Sequence, residues 1–154
     1  MPIETYGQWM GTPMSDRDVD RLLDATGWGI LSLAEDDRPY SLPVSFGYDG
    51  GVVYLALIRD SPENTKFEFV EDGKTARLLV TDVGDRFDWQ SIAVTGQVER
   101  LERDGRGWDE AVAALDDNAW FSTDFERASG IEEITVWRLD PDEVRGLEVT
   151  PDEN

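Results

Sequence analysis

Between Trp28 and Ile58 the sequence alternates apolar runs with turn signals: WGILSLA, EDDRP, YSLPVSFGY, DGG and VVYLALI. A parallel pair needs a crossover of a dozen residues or more, and neither Glu35 to Pro39 nor Asp49 to Gly51 is long enough. The three runs therefore pair as an antiparallel meander. Pro43 falls inside the second run, which calls for an edge position or a bulge there, because proline brings no N–H to a ladder.

The rest of the chain extends this start. Upstream, SDRDVDRLLDATG places Ser15 as a helix N-cap with Asp18 three residues on; Val19, Leu22 and Leu23 form an apolar stripe that ends before Gly27. Downstream, SPENTKFEFVEDG carries helix-start chemistry in Ser61, Pro62 and Glu63, with Gly73 as its stop. TARLLVTD and WQSIAVTGQVERLE read as two more strands, and Gly96 in the second marks a bend or a close backbone approach. GWDEAVAALDDNAW has helical spacing at Trp108, Val112 and Leu115, and AWFSTDFERASG is a second short helix or a loop. IEEITVWRL then alternates as a sixth strand, with Ile131, Ile134, Val136 and Leu139 facing in. The expected fold is mainly β, a six-stranded antiparallel barrel with flanking helices. It forms one domain over 1–154, with an irregular arm at 1–13, where Trp9 is a candidate packing anchor, and an acidic tail at 148–154.

Composition bounds the function. Thirty-four carboxylates against 14 cations give a formal charge of −20, which opposes nucleic acid and anionic membrane as partners. The cations are twelve Arg and two Lys, Lys66 and Lys74, and the acidity is spread through nearly every polar segment. Such a bias matches salt-loving organisms, in which screening offsets self-repulsion. No apolar run is long enough to span a membrane and no secretory pattern opens the chain, so a cytoplasmic protein is the expectation. With no His and no Cys, imidazole acid/base chemistry, thiolate nucleophiles and zinc–thiolate sites are excluded, and if the chain is an enzyme a cofactor is the expected carrier of its chemistry.

Three segments are candidates for holding one. A helix starting at Ser61 presents unpaired backbone N–H groups and partial positive charge, and Arg59 and Lys66 flank it, a constellation suited to a phosphate dianion. The plainer reading pairs Lys66 with Glu63 and Arg59 with Asp60 on the surface. RPYSLPVSF can offer free backbone groups to a flat ligand around Pro43, or be an ordinary edge strand. Ser91 in WQSIAVTG can donate to a ligand or be satisfied by backbone. Paired carboxylates carry no information in a chain with so many, so neither a glycosidase pair nor a calcium loop is read from them.

The order of these motifs, GILSLAEDDRPYSLPVSF, VVYLALI, NTKFEFV, SIAVTG and VWRLDPDEVRG, resembles the flavin-binding split-barrel family of pyridoxamine 5'-phosphate oxidase and its short, nitroimidazole-reductase-like relatives, from about Met14 to Gly146. The resemblance implies a homodimer of six-stranded split barrels with FMN at the subunit interface. It also implies roles: Pro43, Val44 and Ser45 at the isoalloxazine edge, Ala56 and Leu57 along the ribityl chain, Arg59, Ser61 and Lys66 at the phosphate, and Ser91 touching the cofactor from its strand. Some reductase-like relatives carry a His where this chain has Ala56, and the basic residues that grip a pyridoxal phosphate substrate near the C-terminal end are not recognisable. A true vitamin oxidase is therefore not expected. The implied activity is hydride or electron transfer from a reduced nicotinamide through the flavin to a small-molecule acceptor. The alternatives are a non-catalytic flavin or deazaflavin carrier or sensor dimer, and a split barrel with no cofactor.

Overall fold

A computed structural model describes residues 10–58, 70–118 and 134–151. Its frame is set by two tight hairpins. Strands β2 (Trp28–Glu35) and β3 (Arg38–Asp49) are joined by Asp36 and Asp37, both at positive φ, and Gly50 and Gly51, also at positive φ, join β3 to β4 (Val52–Ile58). Two successive residues of this kind make the turn whose twist matches paired strands. β5 (Thr75–Asp85) and β6 (Asp88–Leu101) form a third hairpin, and β7 (Ile134–Val149) closes the sheet. Neighbours run β7-β4-β3-β2-β5-β6, and β6 pairs back to β7, so the six strands form the expected antiparallel ring. A two-residue strand, β1 (Thr12–Pro13), adds to the outer edge of β7.

Helix α1 (Asp16–Thr26) begins as its sequence predicts: the Ser15 side chain accepts from the Asp18 N–H, and Gly27 ends the helix in the left-handed region at φ 74°. Its buried Val19 and Leu23 close one end of the ring, and the Tyr48 hydroxyl on β3 donates to Asp20 at 2.5 Å. Burial, together with that carboxylate, holds the Tyr48 phenol above its ordinary range. Helix α2 (Trp108–Asp116) packs outside the ring. Ala111 and Leu115 cover Tyr54 and Ala56 of β4 and Val136 of β7, while Val53, Leu55 and Leu57 fill the interior. β4 is buried on both faces, which is why VVYLALI is a continuous apolar run instead of an alternating one.

Three expectations change. β7 does not end at Leu139: it continues through DPDEVRGLEV, because the long β6 supplies ladder partners as far as Trp89↔Val149. A register shift opposite Thr95 and Gly96 absorbs the extra residue, and there the bare Gly96 Cα lies against the Asp140 carbonyl, the close approach its sequence suggested. Val136 and Leu139 do not share a face. Alternation sends Val136 under α2 and Leu139, with Trp137, into the ring. The arm and tail are shorter than drawn, since Thr12 and Pro13 pair with Glu148 and Leu147. The helix expected from Ser61, the segment AWFSTDFERASG, Ile131 and Trp9 lie outside the described residues. Among the described residues no helix is long and apolar enough to cross a membrane.

Candidate functional site

β3 serves two partners in succession. Arg38 to Ser45 pair with β2, and Phe46 to Asp49 pair with β4. The Phe46 N–H donates to the Gly27 carbonyl at 3.0 Å, so its backbone faces the β2 side, and alternation turns Ser45 and Pro43 toward the β4 side. On β4 the Leu57 carbonyl faces β7, where it accepts from the Thr135 hydroxyl at 3.4 Å, so Ala56 faces β3. The register between the two strands stops at Phe46↔Leu55, one residue short of Ser45↔Ala56. The rung beyond that would need an N–H from Pro43, which has none. Proline thus keeps the ladder from resuming beyond this point, and the Ser45 N–H and Ala56 carbonyl face the opening that the lost pairing leaves. This is the edge position that a proline inside the run called for.

The side chains divide between this opening and the core. Val44 and Leu57 are buried in the ring interior, with Leu57 2% exposed, and Ala56 lies beneath α2 at 8%. For Ala56 and Leu57 the backbone, and not the side chain, is what a ribityl chain could meet. Pro43 is exposed and Ser45 half-buried on the outer face of the sheet. On that face the register aligns Pro43, Ile30, Leu79, Ala93 and Arg145 in one row. A parallel row holds Ser41, Ser32, Arg77, Thr95 and Glu143, with the Ser32 and Ser41 hydroxyls 2.9 Å apart and Arg77 Nε donating to Thr95.

Ser91 lies on the same outer face, two residues from Ala93, but not beside Ser45. Three strand spacings separate Pro43 from Ala93, about 14 Å at the usual inter-strand distance. Within one chain the structure therefore brings together Pro43, Ser45 and the Ala56 backbone, and leaves Ser91 apart. Arg59, Ser61 and Lys66 lie outside the described residues. The other lysine, Lys74, forms an ion pair with Glu35 beside the β2–β3 turn. Among the described residues no group of three or more acidic side chains is placed to hold a metal ion.

Two residues of this region escaped the sequence reading. Trp28, 41% exposed, pairs with Ser45 on the outer face beside the opening. Its phase with Ile30 and Ser32 was visible, but its place beside Ser45 depends on the hairpin register. Asn118 joins α2 to β3 through backbone carbonyls far away in sequence, and no local pattern marks it.

Known proteins share this architecture. A FAD-binding protein from Mesorhizobium loti superposes with a TM-score of 0.69 over 92% of this chain and 98% of its own, at 21% identity. A FAD and heme binding protein from Mycobacterium smegmatis does so with a TM-score of 0.62 over 91% of this chain and 75% of its own, at 20% identity. An uncharacterized protein of Rhizobium meliloti (strain 1021) is 23% identical over 88 residues, which is 57% of this chain and 56% of that relative's length. The family described as pyridoxamine 5'-phosphate oxidase matches residues 15–148, nearly the whole split barrel, and the chain belongs to that family.

Proposed function

We propose that the protein is an FMN-binding flavoprotein that transfers hydride or electrons to a small-molecule acceptor. The observation that carries this reading is the opening between β3 and β4, made by Pro43 inside a chain whose family match spans residues 15–148. The residues present fit such a group. The Ser45 N–H can donate to a polar ring edge, Trp28 offers an aromatic surface beside it, and Arg59, Ser61 and Lys66 are the proposed phosphate holders. When bound, FMN supplies the redox chemistry, which the side chains of a protein without His or Cys do not. Heme, named for several of the structural neighbours, is less well served, because the His and Cys that commonly ligate its iron do not occur in this chain.

The proposed assembly is a homodimer through the outer sheet face. The row from Pro43 to Ala93 carries no charge, although 31% of the chain is charged, and Leu79 and Trp28 on this face are 39% and 41% exposed. A second copy covering that face brings Ser91 of one chain toward the opening of the other, which reconciles its distance from Ser45 with a role at the cofactor. We place the protein in the cytoplasm of a salt-adapted cell, where counterions offset its −20 charge.

Protein purified in molar KCl should take up FMN, giving a bound-flavin visible spectrum and quenched fluorescence, and should elute as a dimer. Failure to take up FMN at any salt concentration defeats the reading. Steady oxidation of a reduced nicotinamide by the loaded protein favours the oxidoreductase, and its absence favours a flavin or deazaflavin carrier or sensor. Lys66→Ala should weaken FMN binding by about 1–3 kcal/mol, the scale of one charge-assisted hydrogen bond. An unchanged affinity would make Lys66 a surface cation only.

A further inference from the structure

The point at which β3 changes partners is held by a side chain from outside the sheet. On the β2 side the ladder gives out at Gly27, which ends α1 in the left-handed region and so leaves strand geometry. The Gly27 carbonyl still accepts from the Phe46 N–H, and the amide of Asn118 spans what remains. Its Nδ2 donates to the Phe46 carbonyl at 2.5 Å and to the Gly27 carbonyl at 2.6 Å. Both partners are acceptors only, so the amide nitrogen must be the atom that faces them. On the β4 side the ladder ends at the same residue, Phe46.

Two glycines let Asn118 reach this point. A Cβ on Gly27 would meet Asn118 Oδ1, and a Cβ on Gly47 would lie 2.5 Å from the carbonyl carbon of Ala114 and 2.8 Å from the Leu115 nitrogen. The last turn of α2 and Asn118 just beyond it are therefore seated directly on β3 where the opening begins.

We propose that Asn118 is a positioning residue for the flavin site. By pinning the Phe46 carbonyl it fixes the peptides on either side, and with them the angle at which Ser45 leaves β4. The proposal rests on the reading of that opening as the flavin site. It is tested by amide hydrogen exchange and FMN titration, in high salt and well below the melting temperature, on the wild type, Asn118→Ala and Asn118→Ser.

For Asn118→Ala the amides of Phe46 and Gly47 should exchange about tenfold faster while those of Leu78 to Val80 in β5 stay protected, and the FMN Kd should rise about tenfold. Asn118→Ser, which keeps a shorter donor, should fall between the two and serves as the test if the alanine variant does not fold. Unchanged exchange at Phe46 and Gly47 overturns the proposal. So does faster exchange spread evenly through β5 and β6, which would mark a general loss of stability, and so does local loosening with unchanged FMN affinity. If the wild type takes up no FMN the flavin reading falls, and the exchange comparison alone decides whether Asn118 sets the opening.

Discussion

Gly96→Ala should destabilise the fold by about 3 kcal/mol, at the upper end for forcing one methyl group into packed structure. The added Cβ would run into the Asp140 carbonyl, with the carbonyl carbon at 2.8 Å and the Pro141 Cα at 3.1 Å. All three are backbone atoms, so no side chain can swing away, and relief requires β6 and β7 to separate at the bulge. Those two strands close the ring, with paired positions from Trp89↔Val149 to Leu101↔Val136. The loss should therefore appear in one cooperative transition, as a lower denaturant midpoint with an unchanged slope. A midpoint within error of the wild type would show that the bulge adjusts freely.

Phe46→Ala should cost about 3–5 kcal/mol, the range for emptying a buried aromatic site. Phe46 is 1% exposed and sits in the ring core, among the largest of its fully buried side chains. The cavity would form beneath the residue with which the β4 ladder begins, next to the last β2 pair at Ser45, and to whose carbonyl Asn118 donates. Stability is thus lost at the hinge of the proposed site, and a domain held by about 5–15 kcal/mol in total has little to spare. Denaturation in molar KCl, compared with Leu33→Ala at the far end of β2, measures the effect. A loss under about 1 kcal/mol would mean that the neighbouring core collapses into the space, against the behaviour of close-packed interiors.

Much of the fold was legible because its signals are local. Ser15 and Gly27 mark the ends of α1 through capping chemistry that needs no distant partner. Asp36–Asp37 and Gly50–Gly51 announce hairpins, because two-residue turns demand positive φ and so select such residues. Pro43 announced a ladder that could not continue. The sequence was misleading where a distant partner overrode local character. The acidic DPDE with Pro141 has the composition of a turn, yet it lies within β7, because β6 runs alongside it and a bulge takes up the misfit. Val136 was assigned to the wrong face, since strict alternation leaves it three residues out of phase with Leu139.

The candidate site divides along the same line. The sequence alone determined the strand-and-turn order, the break at Pro43, the absence of imidazole and thiol chemistry, and the charge that disfavours polyanion partners, all of which follow from residue identity or near-neighbour spacing. Tertiary structure alone decided that Ser45 and Ala56 face one opening, that Trp28 borders it, that Ser91 lies three strands away, and that Asn118 holds the point from which the opening starts. The physical reason is that these relations depend on register and on the docking of α2 against glycines in β3 and at the end of α1. Register is set by pairing across the whole ring, and no stretch of the chain carries that information by itself.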